Sequence, residues 1–76
     1  MDISTAFGKV IRQLRINAVL TQEQLGLEAE LRRTFISVLE LGQQQPTITT
    51  IFKLSNALNV PASKIIELVE LEILKN

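Results

Sequence analysis

Cysteine and histidine are both absent from this 76-residue chain. Without cysteine there is no disulfide and no thiolate-bound metal to add stability. With histidine missing as well, the usual zinc sites and imidazole acid–base chemistry are excluded, so neither a metal nor a cofactor is expected. Net charge is lacking too, since eight basic side chains balance eight acidic ones. That balance argues against a strong non-specific polyanion binder, but it leaves room for a local basic patch. No apolar run approaches the ~20 residues of a membrane span. The N-terminus lacks the basic-then-apolar pattern of a secretion signal, and the composition suits the cytoplasm. There is no nucleophile elbow and no phosphate loop. The acids are scattered without an evident pair. Catalysis is therefore not expected.

Hydrophobic residues make up 46% of the chain. A chain this short buries only about 60% of its unfolded surface, so some of that apolar surface is expected to face a partner. The apolar residues follow helical steps. Phe7, Val10, Ile11 and Leu14 mark a first helix from about Ser4 to Asn17, with Ser4 as N-cap and Asn17 suited to a left-handed end. Thr21 and Gln24 have the form of a capping box and open a second helix with Leu25 and Ala29 on its seam. A third runs from about Arg32 to Leu41 and stops at Gly42. A fourth, capped by Thr47, reaches Leu58 with Ile48, Ile51, Phe52, Leu54 and Leu58 on its core side. Asn59 closes it, and Pro61 opens a fifth that extends to about Lys75. There are no repeats and no clear strands. Short links join the helices into one all-α domain, residues 1–76.

The link between the second and third helices, about Glu30 to Arg32, is too short for an antiparallel pair. The two cross steeply as a helix-turn-helix over about 21–41. On the third helix, Phe35, Ile36 and Leu39 point to the core. Arg33 or Thr34, then Ser37 and Val38, then Leu41 form the opposite stripe. A helix entering a DNA major groove needs small side chains for close approach and a long donor near its N-terminus. Arg33 suits guanine O6 and N7, and Thr34 and Val38 suit a thymine methyl. On a surface helix of a neutral protein, the same arginines are otherwise merely solvated.

These residues carry a family resemblance. "TQEQL" at 21–25, Ala29, Arg33, Ile36, Ser37, Glu40, Gly42, Pro46 and "KLSNALNVPASKI" at 53–65 resemble the Cro/cI-type, XRE-like helix-turn-helix repressors. The length and "RTFIS" also resemble restriction–modification controller proteins. The resemblance implies a compact five-helix, lambda-repressor-like domain that binds double-stranded DNA as a homodimer. Gln22, Arg33, Thr34, Ser37 and Val38 then take base-reading positions, with Gln22 also meeting a phosphate and supporting the base-reading side chain. Thr21, Arg32, Gln43 and Gln44 fall toward the phosphates. Arg15 and Glu40 match an internal ion pair.

The sequence departs from the family pattern at several points. Val19 and Glu30 stand where glycine is usual, Arg32 replaces a capping residue, and Phe35 replaces a tyrosine. Gln43, Gln44 and Gln45 replace basic loop residues, so modest non-specific affinity and a shallow salt dependence are expected. Gly26 inside the second helix costs up to about 1 kcal/mol relative to alanine. The fifth helix is apolar on more than one side. Ile65, Ile66, Leu68, Val69 and Ile73 share an arc, with Leu71 and Leu74 outside it. Such a helix is usually buried on more than one side, which points to dimerisation through about 61–75, with Leu68, Leu71 and Leu74 at the interface. Two alternatives stand beside a transcriptional regulator: a controller or antitoxin-type autoregulator with a protein partner, and a protein-interaction module that keeps the fold without binding DNA.

Overall fold

The computed structural model describes residues 1–75, which form five α-helices: α1 (Ile3–Asn17), α2 (Gln22–Ala29), α3 (Arg33–Glu40), α4 (Ile48–Leu58) and α5 (Ala62–Leu74). Asn76, the end of the expected 1–76 range, lies outside the described residues. The capping box forms as the sequence suggests. Thr21 Oγ1 accepts from Gln24 N–H at 3.0 Å, and Gln24 Oε1 accepts from Thr21 N–H at 2.8 Å. Thr47 caps α4 by accepting from Thr50 N–H at 3.1 Å. At α1 the expected cap is displaced. Asp2, not Ser4, accepts from Thr5 N–H at 2.7 Å, because a carboxylate at the positive end of a helix is the stronger acceptor. This bond holds the Asp2 carboxyl below its ordinary value. The cap is therefore fully present above that ordinary value and is lost as pH falls through the lowered one.

Four helices end in the same left-handed turn. Val19, Glu30, Gly42 and Asn59 have φ of 59°, 58°, 74° and 61°. The next N–H reaches back five residues in each case: Leu20 to Arg15 O, Leu31 to Gly26 O, Gln43 to Val38 O and Val60 to Ser55 O, at 2.8 to 3.1 Å. This pairing satisfies carbonyls that a helix end otherwise leaves open. Gly42 and Asn59 tolerate the conformation, whereas Val19 and Glu30 do not favour it. Val19, not Asn17, takes this position after α1, because the helix runs through Asn17 and leaves Ala18 as its right-handed cap. Val19 is also 86% exposed and packs against little. Val19→Gly is therefore expected to stabilise the fold by about 1 kcal/mol, the relief of left-handed strain less the added freedom of the unfolded chain. In a thermal melt this appears as a rise of roughly 4–8 °C, and an unchanged or lower midpoint would show the strain to be negligible.

The core draws on every helix: Ile11, Leu25, Ile36, Leu39, Leu54 and Ile65 are fully buried. α1 packs on α5 and α3, α2 on α3 and α4, and α4 on α5. Two residues read as core are not. Ile48 and Phe52 are exposed, while Thr50 and Ser55 are buried beside Leu54 and Leu58. The hydroxyls turn inward because they find partners in their own helix or its cap: Thr47 Oγ1 donates to Thr50 Oγ1 at 3.1 Å, and Ser55 Oγ donates to Phe52 O at 2.9 Å. Satisfied in this way, they fit an apolar interior. Phe35 is half-buried and packs against the edge of the core.

Candidate nucleic-acid interface

The turn between α2 and α3 depends on a close backbone approach. A Cβ at Gly26 would stand 2.6 Å from Leu31 O, so this glycine is what lets the chain fold back tightly. Glu30 supplies the left-handed residue. Arg32 then caps α3 through its backbone alone, with no side-chain capping bond. Its guanidinium is left exposed beside those of Arg33 and the side chain of Thr34. Among the described residues, neither arginine has an ion-pair or side-chain hydrogen-bond partner. Behind them on α3, Ser37 and Val38 are half-buried, and Leu41 is exposed.

Gln22 stands at the start of α2 and lines one cleft with Arg33, Arg15, Thr21 and Glu23, about 340 Å³ in volume. Glu40, from the last turn of α3, ties this cleft to the interior. Arg15 Nε donates to Glu40 Oε2 at 2.6 Å, and Arg15 Nη2 donates to Oε1 at 3.0 Å. Arg15 Nη1 donates to Leu20 O at 2.9 Å. The Glu40 hydrogen bond, reinforced by its charge and opposed by partial burial, raises the Arg15 pKa above its ordinary value. Glu40 Oε1 also accepts from Gln22 Nε2 at 3.1 Å. Arg15 is thereby neutralised inside the fold, and with Glu23 in the same cleft the unpaired positive charge at the start of α3 comes from Arg32 and Arg33.

Thr21, Gln43 and Gln44 are exposed. The Thr21 oxygen accepts from Gln24 N–H, while its hydroxyl proton stays available. The Gln43 backbone N–H is spent on Val38 O, so Gln43 can reach a phosphate only with its side chain. On α5, Leu68 and Leu71 line a groove against α1, about 610 Å³, together with Lys9, Arg12 and Glu72. Leu74 is not among the groove residues and stands 77% exposed. The Gln22–Glu40 hydrogen bond has no signature in local spacing, since it joins residues 18 apart. The tight approach at Gly26 was signalled by a glycine inside a helical pattern.

A short helix carrying free donors at its N-terminus, crossed by a second helix over a tight turn, is the form of a DNA-reading helix pair. Residues 11–65 match the helix-turn-helix family. The control protein C.BamHI of Bacillus amyloliquefaciens is 34% identical over 67 residues, which cover 87% of this chain and 83% of that protein. The restriction-modification controller protein C.AhdI from Aeromonas hydrophila superposes with a TM-score of 0.78 at 31% identity, covering 80% of this chain and 92% of the other. The wild-type restriction-modification controller protein C.Esp1396I superposes with a TM-score of 0.89 at 29% identity, covering 99% of each chain. The chain belongs to the helix-turn-helix family of DNA-binding transcriptional regulators. It is a regulator and not an enzyme.

Proposed function

We propose that this chain is a homodimeric, sequence-specific regulator of the restriction–modification controller type. It reads a two-fold operator with half-sites about 34 Å apart, one helical turn. The observation that carries this reading is the placement of Arg33 and Thr34, exposed at the start of α3 beside Gln22, with Ser37 and Val38 behind them. Arg33 serves guanine, Thr34 and Val38 serve thymine methyls, and Ser37 allows close approach. Arg32, Thr21, Gln43 and Gln44 meet the backbone and set the register. Selection of bound sequences from a random DNA pool tests it directly. Arg33→Ala should weaken binding to the selected operator by about 1–3 kcal/mol and erase preference at one base position. A uniform loss on all DNA would place Arg33 on phosphate. No mobility shift with any selected DNA or with the upstream region of its own gene would favour the protein-interaction module, which zero net charge and the glutamine loop otherwise support.

Dimerisation rests on α5. Its apolar surface exceeds what the core uses, since Ile66, Leu71 and Leu74 are 45%, 51% and 77% exposed. Truncation of α5 would disturb the fold as well as any interface, because Val69 is itself buried in the core and Ile73 packs against it. Surface changes separate the two effects. Leu71→Glu combined with Leu74→Glu should give folded monomers in sedimentation velocity and weaken operator binding. A folded variant that stays dimeric would move the interface elsewhere, with the exposed α4 pair Ile48 and Phe52 the next surface to test.

A further inference from the structure

We propose that Glu40 is a positioning residue for DNA specificity: it fixes the direction of the Gln22 amide, and through it the preference of Arg33 for guanine. This rests on the reading of Arg33 as a base-contacting residue. The Glu40 side chain is only 3% exposed and is clamped by two donors of Arg15. An ionised carboxylate accepts and cannot donate. The arm that Gln22 turns to Glu40 must therefore be its NH2, as the 3.1 Å contact from Nε2 records. The other arm, the carbonyl Oε1, is left for the cleft that Gln22 shares with Arg33.

Arg33 has five donors and no acceptor, so only an amide presenting oxygen can hold it. The chain of polarity then alternates without a conflict. Arg15 donates to Glu40, Glu40 accepts from Gln22, and Gln22 Oε1 is left to accept from Arg33 when the helix meets DNA. The remaining guanidinium edge stays free for guanine O6 and N7, a contact that requires two parallel donors in one plane. An amide free to turn over would also populate the orientation that presents its NH2 to Arg33, where donor meets donor and the contact is lost.

The polarity can be reversed by chemistry alone. In Glu40→Gln, Arg15 still demands an acceptor, so the new amide gives Arg15 its oxygen and turns its NH2 toward Gln22. Gln22 must then accept and offer its own NH2 to Arg33. Adding Gln22→Glu restores an acceptor on both sides with the net charge of the original protein.

The test measures relative affinity for the selected operator and for operators with the Arg33 guanine replaced, by fluorescence anisotropy, on variants whose folding is checked by circular dichroism. Glu40→Gln should lower the guanine preference on the order of tenfold, the scale of coupling between contacting residues. The exchange of Gln22→Glu with Glu40→Gln should restore the preference as a ratio, although the surface carboxylate weakens binding to all DNA. If Glu40→Gln does not fold, Gln22→Leu alone carries the test. It leaves the Arg15–Glu40 pair intact and should lower the guanine preference by the same factor, non-additively with Arg33→Ala. Strict additivity with Arg33→Ala, or equal loss on every sequence, would overturn the proposal. If Arg33→Ala itself leaves base preference unchanged, the DNA-reading assignment fails with it; if only the Gln22 and Glu40 variants are silent, this proposal alone fails.

Discussion

Glu40→Leu is expected to destabilise the fold by about 3–5 kcal/mol, while Glu40→Leu together with Arg15→Met should recover most of that loss. The asymmetry comes from what each change leaves behind. The Arg15 side chain is 13% exposed and that of Glu40 3%. Arg15 cannot shed its charge, because guanidinium stays protonated throughout the accessible range. Without Glu40 it keeps one neutral partner, the Leu20 carbonyl at 2.9 Å, and Gln22 Nε2 loses its acceptor as well. An uncompensated charge in that position costs far more than the intact pair contributes. Replacing both residues removes the charge and the demand together. Small domains have only about 5–15 kcal/mol of stability in total, so the single variant is expected to be largely unfolded at moderate urea where the double variant is not. Urea titrations at equal protein concentration, needed because dimerisation shifts the midpoint, measure both. A single variant that loses less than about 1 kcal/mol would show the pair to be solvated in solution, as exposed pairs are.

Much of this fold was legible because helical periodicity and capping chemistry are local. Thr21 with Gln24, Thr47, Gly42 and Asn59 each act within a turn of where they stand, and each end formed where these residues stand. The errors came from local competition. Ser4 was expected as the cap of α1, but the Asp2 carboxylate two residues earlier took that place. Ile48 and Phe52 looked like core because they are apolar, yet Thr50 and Ser55 took the inner positions once their hydroxyls were satisfied by α4 and its cap Thr47. The candidate site divides in the same way. The exposure of Arg33 and Thr34 follows from the stripe on α3. The hold of Glu40 on Gln22 depends on where α1 and α2 lie against α3, and no spacing rule contains that.

The strained turns bear on function as well as stability. Glu30 occupies a left-handed position at the corner of the helix pair, and Arg32 leaves α3 without a side-chain cap. The start of α3 is therefore held chiefly by tertiary contacts: Gly26 beneath Leu31, Ile36 in the core, and Glu40 on Arg15. A helix of eight residues is too short to be stable alone. Its orientation is inherited from α1 and α2, and disturbance of α1 should reach the end of α3 that carries Arg33 and Thr34, the residues proposed to read DNA.

Gly8→Ala is the sharpest such disturbance and should destabilise the protein by about 3 kcal/mol. Helix propensity alone gives the opposite sign, since alanine in a helix interior is favoured over glycine by about 1 kcal/mol. What decides is the space where α1 crosses the end of α3. A Cβ at position 8 would stand 2.5 Å from Leu39 O, 2.6 Å from Glu40 O and 2.9 Å from Glu40 C. These are backbone atoms in the last turn of α3, not the flexible ends of side chains, so no rotamer change relieves the clash. The helices must separate. Separation opens the buried contacts of Phe7 and Ile11 on α1 with the core, lengthens the Arg15–Glu40 bonds, and disturbs the second tight approach, where Gly42 faces Thr5. Thermal melts should fall by roughly 12–24 °C. Because Leu39 and Glu40 form the base of α3, the proposed reading helix, operator affinity should fall even at temperatures where the variant is folded, and base preference should weaken along with it. A variant with wild-type or higher stability would mean that α1 and α3 lie farther apart than the glycine demands, and the placement of Glu40 beneath Gln22 would have to be redrawn with them.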